Sequence, residues 1–240
     1  MTTLFISDLH LDDSRPASTA LFERFVQEEA LVADSLYILG DLFEYWLGDD
    51  APTETSRRVA SALKALQDRS VPCYFMHGNR DFLLGDDYCA ESGMKLLPET
   101  EIIDLYGTPT LLLHGDTLCT DDLEYMTLRA QIRTPEWHRM FLALSPSERD
   151  EMVREGRQRS RDHQATLSME IMDVNHQAVR ELFEQEAVRE MIHGHTHRPA
   201  MHQHDTGNGP ARRTVLGDWY EKGSVLRAGP DGLSLEDYPS

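Results

Sequence analysis

The 240-residue chain lacks any apolar run near the roughly 20 residues that cross a bilayer, so we expect no transmembrane helix. It has little cysteine: Cys73, Cys89 and Cys119 show neither metal-site spacing nor a disulfide framework, which favours a reducing cytoplasm. Its first residues lead straight into an apolar run and then Asp8, unlike a secretory signal peptide. We therefore expect a cytoplasmic protein that does not span a membrane.

Basic residues are also scarce. Lys and Arg number 23 against 42 Asp and Glu, and the formal net charge is −19. Such a surface repels phosphate backbones, which argues against general nucleic-acid binding. The hydrophobic share of 40% and charged share of 27% are ordinary for a globular protein with a sizeable core.

Short apolar runs alternate with helical patterns along the first third of the chain. Strands are predicted at 3–6, 35–39 and 71–76, and helices at 17–32 and 53–68. This alternation indicates an α/β fold with a parallel start. Further strands are predicted near 110–113, 191–192, 213–216, 224–227 and 233–237.

The stretch 121–164 differs from the rest because it is helical and rich in arginine. Thr134-Pro135 and Ser145-Pro146 are turn signals within it. We predict a catalytic α/β domain made of residues 1–121 and 168–240, with a helical insertion, or lid, at 122–167.

Metal-binding types of side chain recur just past the ends of predicted strands. In open α/β sheets such strand ends form the site. Residues i and i+2 of an extended segment face the same way. We therefore expect Asp8 and His10 to bind at one site together, and His195 and His197 to do the same. The seven candidates are Asp8, His10, Asp41, Asn79, His114, His195 and His197.

Seven ligands are too many for one tetrahedral zinc and suit two metals that share a carboxylate. Asp41 is the natural bridge, because its strand lies between the others. Nitrogen and oxygen ligands without thiolate favour Mn, Fe or Zn. Two metals about 3.5–4 Å apart hydrolyse phosphoesters or phosphoanhydrides.

Other polar residues near these positions have structural interpretations. His77 and His193 precede glycines and are predicted to be structural, and His202 and His204 to lie in a solvated loop. Asp81 and Asp116 either orient ligand imidazoles or cap turns. The remaining histidines, predicted to lie on the surface without partners, are His138, His163 and His176.

Five ordered motifs together resemble those of calcineurin-like metallophosphoesterases. The resemblance implies a four-layer α-β-β-α sandwich with a dinuclear site. It implies one metal held by Asp8, His10, Asp41 and His197, and another held by Asp41, Asn79, His114 and His195. The motifs are Asp8-Leu-His10, Gly40-Asp41, Gly78-Asn79-Arg80-Asp81, His114-Gly115-Asp116 and Gly194-His195-Thr196-His197.

A closer resemblance is to the family of UDP-2,3-diacylglucosamine diphosphatases of lipid A biosynthesis. It rests on FISDLHL, YILGDLFEYWLGDD, HGNRDFLLG, HGDTLCTDD, IHGHTHRPA and VLGDWY. The resemblance implies hydrolysis of the pyrophosphate to UMP and 2,3-diacylglucosamine 1-phosphate, with two Mn²⁺ per chain. It also implies a peripheral protein on the cytoplasmic face of the inner membrane, without nucleic acid or an obligate protein partner.

Arg80 stands where many metallophosphoesterases have a histidine that protonates an alkoxide leaving group. An arginine stays protonated at neutral pH and cannot donate its proton, but it can neutralise charge on a phosphate. We therefore expect Arg80 to be catalytic and to favour a substrate whose leaving group is a phosphate. The alternative is a surface salt bridge.

The insertion is expected to determine substrate specificity. Trp137, Met140, Phe141 and Leu144 form one apolar helical stripe, which either packs the insertion onto the body or, as the resemblance favours, contacts acyl chains. Arg154, Arg157, Arg159 and Arg161 form the one basic cluster of the chain. By resemblance, and by proximity in the sequence, the expected substrate contacts are Asn79, Arg80, Asp122, Tyr125, Arg157, Ser160, Gln164 and His195.

One position departs from the family. Leu167, followed by Ser168, stands where the family often has a lysine, so Arg157 or Arg161 is expected to supply the charge. Two alternatives remain open for the function. One is a related enzyme for another nucleotide diphosphate or diester, favoured by a polar, open lid; the other is a non-catalytic scaffold, favoured by lost metal ligands.

Overall fold

Two β-sheets form the centre of the computed structural model, which describes residues 1–165, 171 and 173–239. The predicted domain boundary at 167/168, Leu167, Ser168 and the side chain of Gln164 lie outside this described part. The strands are β1 (Thr3–Ile6), β2 (Ser35–Leu39), β3 (Cys73–Met76), β4 (Met94–Leu96), β5 (Thr100–Leu105), β6 (Thr108–Leu113), β7 (Glu190–His193), β8 (Ala200–Thr206), β9 (Gly209–Val215), β10 (Gly223–Gly229) and β11 (Gly232–Tyr238).

Helices connect and cover these strands. Three of them follow strands of the N-terminal half, three form one continuous segment, and the last precedes β7. They are α1 (Pro16–Glu28), α2 (Glu54–Asp68), α3 (Asp86–Ser92), α4 (Leu123–Ile132), α5 (Pro135–Leu142), α6 (Pro146–Gln164) and α7 (His176–Glu186). None of the helices within the described residues combines the length and apolarity of a membrane span.

The first sheet has the order β11-β10-β1-β2-β3-β4, and the second has the order β5-β6-β7-β9-β8. Strands β1 to β4 are parallel to one another, and so are β6, β7 and β9. Antiparallel strands close the outer edges of the second sheet and one edge of the first. The carboxyl ends of the parallel strands in both sheets carry the loops that hold the candidate ligands.

Strand β1 shows why the molecule has four layers. Leu4 and Ile6 are buried in a core shared with Phe25 of α1 and Leu63 of α2, whereas Phe5 is buried in a second core between the sheets. Alternate residues of a strand face opposite sides, so a strand that is apolar throughout requires cover on both faces. Helix α7 covers the far face of the second sheet, and the predicted α-β-β-α sandwich is confirmed.

The sequence-based boundaries differ from the structure where local signals are weak. Helix α1 ends at Glu28 rather than residue 32, and a short 3₁₀ turn follows at Ala30–Val32. Strand β8 contains His202 and His204, which were predicted to lie in a loop. Strand β8 is mostly polar because it lies exposed at the edge of the sheet. Its backbone is held in strand conformation by antiparallel pairing with β9 rather than by an apolar pattern.

Segment α4–α6 is fixed to the body by both apolar and charged contacts. The ring of Trp137 stacks on buried Phe141 at 4.9 Å and lies 5.9 Å from the ring of Phe82 in the body. Buried Arg149 binds the Asp50 carboxylate and the Leu47 carbonyl oxygen. The buried half of the apolar stripe therefore packs this segment onto the α/β body, the first of the two predicted roles.

Candidate metal centre

All seven predicted ligands lie at the carboxyl ends of parallel strands. Asp8 follows β1, Asp41 follows β2 and Asn79 follows β3 in the first sheet. His114 follows β6, and the His195 and His197 pair follows β7 in the second sheet. Because the two sheets pack face to face, these loops meet at one edge of the sandwich, as the sequence predicts.

The backbone at these ligands is not extended, so the reasoning from an alternating strand was wrong. Eight non-glycine residues within the described residues have positive φ, and five of them are predicted ligands. Such backbone costs of order 1–3 kcal/mol per residue and concentrates at functional sites. Hydrogen bonds hold it here, from Asp8 N to Gly40 O at 3.0 Å and from His10 N to Asp41 O at 2.9 Å. The five are Asp8 (56°), His10 (50°), Asp41 (53°), His195 (68°) and His197 (54°).

Two glycines allow the loops to approach this closely. A Cβ on Gly78 would lie 2.0 Å from Asp41 Oδ1, and a Cβ on Gly194 would lie 2.3 Å from Asp8 Oδ2. Neither contact is possible for a real side chain, so both positions require glycine.

One group of ligand atoms surrounds the buried carboxylate of Asp8. His197 Nε2 lies 3.3 Å from Asp8 Oδ1, and His10 Nε2 lies 3.2 Å from His197 Nε2. Asp41 Oδ2 lies 3.9 Å from His10 Nε2. These four residues are those assigned by resemblance to the first metal.

A second group lies on the other side of Asp41. Asn79 Oδ1 is 3.0 Å from His114 Nε2 and 2.9 Å from His195 Nδ1. His114 Nε2 is 3.7 Å from the same Asp41 Oδ2 that faces His10. Asp41 therefore stands between the two groups, in the position predicted for a bridging ligand.

The residues present fit divalent metals. Asp8 Oδ1 is fully buried and accepts no well-aligned hydrogen bond from any described residue; the nitrogen 3.3 Å from it is Nε2 of His197, itself a candidate ligand. A buried carboxylate oxygen without a donor is costly, and a cation would satisfy it. Burial, reinforced by His114, lowers the pKa of His195 to about 4, so this imidazole is neutral and able to bind metal. The mixture of carboxylate, amide and imidazole matches Mn, Fe or Zn.

The outer nitrogens of three imidazoles have partners that the sequence did not reveal. His114 Nδ1 donates to Leu39 O at 2.8 Å. His10 Nδ1 lies 2.9 Å from Glu44 Oε2, and His197 Nδ1 lies 3.5 Å from Asp218 Oδ2. Such partners fix the ring orientation and tautomer of a ligand.

Glu44 and Asp218 lie inside two of the quoted motifs, YILGDLFEYWLGDD and VLGDWY. Their place within these motifs was the sequence signal that could have identified them. Against the desolvation of burial, the hydrogen bond and charge of His10 lower the pKa of Glu44 to about 2, so it is a carboxylate.

Asp81 and Asp116 do not hydrogen-bond to ligand imidazoles within the described residues. Buried Asp81 accepts hydrogen bonds from the backbone N–H groups of Leu42 and Gly78 and so shapes the loops. Burial, together with the charge of Asp41, raises the pKa of Asp81 to about 7. Asp116 accepts hydrogen bonds from Tyr125 Oη and Arg129 Nε, which attach α4 to the site.

A cavity of about 760 Å³ extends from the metal centre to helices α4 and α6. It contains six of the eight predicted substrate residues; Gln164 and Arg157 are not among its described lining. Its lining includes Asn79, Arg80, Asp122, Tyr125, Ser160, His195, Leu128, Gly156, Arg159, His163, Arg198 and Tyr220.

The polar side chains around this cavity differ in whether they form hydrogen bonds or ion pairs with other described residues. The Arg80 guanidinium makes no hydrogen bond or ion pair with any described residue, which argues against a surface salt bridge. Asp122 caps α4 and lies 3.0 Å from His163 Nε2. His163, predicted to be a surface residue without partners, therefore binds Asp122 and faces the cavity.

The predicted basic cluster is largely paired. Arg157 binds Glu44, and its guanidinium lies 5.4 Å from the ring centre of Tyr45. Arg154 and Arg159 pair with acidic residues one turn earlier on α6. Arg157 therefore contacts Glu44, the neighbour of His10, rather than the cavity.

Comparisons with known proteins agree with this geometry. Residues 1–199 match the family described as calcineurin-like phosphoesterase. A relative in Klebsiella pneumoniae named UDP-2,3-diacylglucosamine hydrolase is 52% identical over 239 residues, covering 100% of both chains. Proteins of the same name in an Enterobacter species and in Stenotrophomonas maltophilia are 50% and 51% identical and cover 100% and 98% of both chains. With a family match over most of its length and relatives this similar from end to end, the chain belongs to the calcineurin-like phosphoesterases, a family of hydrolases.

Proposed function

We propose that this chain hydrolyses the pyrophosphate bond of UDP-2,3-diacylglucosamine. Water adds to phosphorus, the P–O–P linkage breaks, and the products are UMP and 2,3-diacylglucosamine 1-phosphate. The observation that carries the proposal is end-to-end identity of about half with relatives named for this substrate, and all seven candidate ligand side chains are present at one edge of the sandwich.

Two Mn²⁺ ions are the proposed cofactor. When bound, they would polarise phosphate oxygens and lower the pKa of a bound water towards neutrality. Asp8, His10 and His197 would hold one ion, Asn79, His114 and His195 would hold the other, and Asp41 would serve both. The orphaned Oδ1 of Asp8 and the central position of Asp41 support this division.

Arg80 is proposed to bind the phosphate that leaves or is attacked. Its guanidinium faces the cavity beside the metal centre without a partner in the described part of the chain. A planar donor fork can bind two oxygens of one phosphate, and no proton donor is needed when the leaving group is itself a phosphate. This chemistry favours an anhydride over an alkoxide ester.

The other proposed substrate contacts surround the same cavity. Asp122, Tyr125 and Ser160 lie at its helical side, where they would meet the glucosamine phosphate, and Asn79 and His195 lie at the metal side. Gln164 remains proposed by resemblance only. Arg157 is not proposed as a substrate contact, because its guanidinium binds Glu44.

Segment α4–α6 is proposed to act as the lid at 122–167, on a catalytic domain made of 1–121 and 168–240. Five of the eleven exposed large apolar side chains in the described residues belong to it. Leu128 also lines the cavity, so an acyl chain there would meet an apolar side chain of this segment. These side chains are Leu123, Leu128, Met140, Leu142 and Met152.

The same surface supports a peripheral position on the cytoplasmic face of the inner membrane. A diacylated substrate resides in a bilayer, and amphipathic helices with exposed apolar side chains bind its interface. The net charge of −19 disfavours broad electrostatic adhesion to anionic lipid, so contact would be local to this segment.

A direct assay tests the function. Purified protein is incubated with Mn²⁺ or with a chelator, and UMP release is measured from the diacylated UDP-sugar and from its deacylated form. We expect Mn²⁺-dependent release with strong preference for the diacylated form. Equal turnover of both would favour a general nucleotide-diphosphate hydrolase, and no turnover with any phosphoester would favour a scaffold.

A further inference from the structure

Glu44 joins two parts of the molecule that the reaction requires. Its side chain is 13% exposed and lies in the loop after β2, three residues beyond Asp41. Its backbone N–H donates to Leu11 O at 3.1 Å, which places it beside the His10 loop. One carboxylate oxygen lies 2.9 Å from His10 Nδ1, and the other binds Arg157 of α6.

The partner on α6 lies close to the proposed substrate contacts. Arg157 stands three residues before Ser160, so the two lie on one face of the helix, and Gly156 and Ser160 line the cavity. The Arg157 side chain is only 25% exposed and is packed over Tyr45. A partly buried, doubly held guanidinium fixes the position of the helix relative to the loop after β2.

Other ion pairs join segment α4–α6 to the body, but their carboxylates do not contact a candidate ligand. Arg149 binds Asp50, and Arg129 binds Asp116. Neither carboxylate lies within ion-pair distance of a predicted ligand imidazole in the described part of the chain. Among these ion pairs, the Arg157–Glu44 pair is the one whose carboxylate also contacts a ligand ring.

We propose that Glu44 is a positioning residue that makes metal affinity at the His10 site depend on the docking of helix α6 through Arg157. Glu44 Oε2 lies 2.9 Å from His10 Nδ1, so its negative charge favours the proton on Nδ1 and leaves Nε2 to face the metal. The ion pair with Arg157 holds that carboxylate in place. This inference rests on the metal centre of the proposed function and adds a link between the lid and that centre.

Reciprocal coupling follows from this link. If docking of α6 strengthens metal binding at His10, then metal binding must strengthen docking of α6 by the same factor. The enzyme would thus hold its substrate-binding helix most firmly when the metal centre is filled. A residue that merely contacted substrate would change KM and leave metal affinity unchanged.

Mn²⁺ titration without substrate, followed by electron paramagnetic resonance, tests the proposal on the full chain. We expect Glu44→Gln to weaken one of two sites about 10-fold to 100-fold, the range typical of outer partners of metal ligands. Arg157→Ala should weaken the same site about 2-fold to 10-fold, and Arg157→Lys should restore most of the loss. The double variant should bind Mn²⁺ as Glu44→Gln does, because the two residues act in series.

Asp50→Asn is the matched control, since it removes an ion pair between α6 and the body that touches no ligand. It should lower Mn²⁺ affinity at the His10 site less than Arg157→Ala does, because Arg157 still holds α6 against Glu44. Wild-type Mn²⁺ affinity for Glu44→Gln, or an Arg157→Ala variant with raised KM and unchanged Mn²⁺ affinity, would overturn the proposal. If Glu44→Gln does not fold, the Arg157 pair of variants carries the same test. Because the titration needs no substrate, failure to hydrolyse the UDP-sugar would refute the proposed function without touching this result.

Discussion

The metal centre and segment α4–α6 are built by opposite means. The centre consists of short loops whose buried and half-buried side chains meet within 2.9–3.9 Å and whose backbone adopts unfavourable φ angles. The segment consists of regular helices with capped starts, and among its described residues only Phe141 and Arg149 are buried. In the metal centre, residue types are determined by the ability to bind metal. In segment α4–α6, they are determined by contacts that hold the helices to the body.

This difference predicts how each region responds to substitution. In the centre, a change of one atom alters charge or position at the metals and should affect activity before stability. In the segment, most positions face solvent, and only those that anchor it should matter. The following substitutions test that contrast in order of decreasing effect.

Asp41→Asn should have the largest effect. The amide cannot supply the charge that the two proposed metals would share, so we expect kcat to fall by about 10³-fold or more, comparable to the loss of a principal electrostatic group. Metal-free protein should be as stable as wild type or more stable, because buried Asp81 no longer faces a second carboxylate. Turnover assays and thermal unfolding with chelator measure both. Exposed Asp34→Asn is the control; a metal-free variant much less stable than wild type would contradict the expectation.

Gly78→Ala should have the next largest effect. The new methyl group would overlap Asp41 Oδ1, so the Asp41 carboxylate must move. Displacement of a catalytic group by about 1 Å can cost about 10²-fold in rate, which is the loss we expect. Mn²⁺ titration should show weakened binding as well. Unchanged kcat and Mn²⁺ affinity would mean that the loop is less constrained than its contacts indicate.

Arg80→His tests the leaving-group argument. We expect kcat on the UDP-sugar to fall about 10-fold to 100-fold, the value of a charge-assisted hydrogen bond, because a neutral imidazole at pH 7–8 does not replace the guanidinium. Arg80→Lys, which keeps the charge, should lose less. Measurement of kcat and KM for all three proteins decides this, and a histidine variant with retained or improved pyrophosphatase activity would refute the role.

The gathering of the ligands was predictable because each follows a short apolar run of the kind typical of a buried strand. Their positive φ angles were not, since Asp and His carry no signal for left-handed backbone as glycine does. Glu44 was missed because its partner His10 is remote in sequence and belongs to another loop. Contacts between strand ends depend on how two sheets pack, which local patterns do not encode.

The helical segment shows the reverse. The turn signals at Thr134-Pro135 and Ser145-Pro146 fall where α5 and α6 begin, because a capping hydroxyl followed by proline is a local signal. The destination of Arg157 could not be predicted. The sequence placed Arg157 in a basic cluster on one helix. Its partner Glu44 belongs to the loop after β2, and the sequence of the helix does not indicate that contact.

Gly156→Ala should have the smallest effect and the opposite sign to Gly78→Ala. Gly156 lies within α6, and a Cβ there would meet nothing within 4 Å outside its own helix. Alanine loses less backbone entropy on helix formation than glycine, so we expect a gain in the free energy of unfolding of about 0.5–1 kcal/mol. Urea unfolding of the metal-free protein measures this gain. A loss of stability would mean that α6 packs against the body at this position as tightly as the metal-centre loops pack against one another.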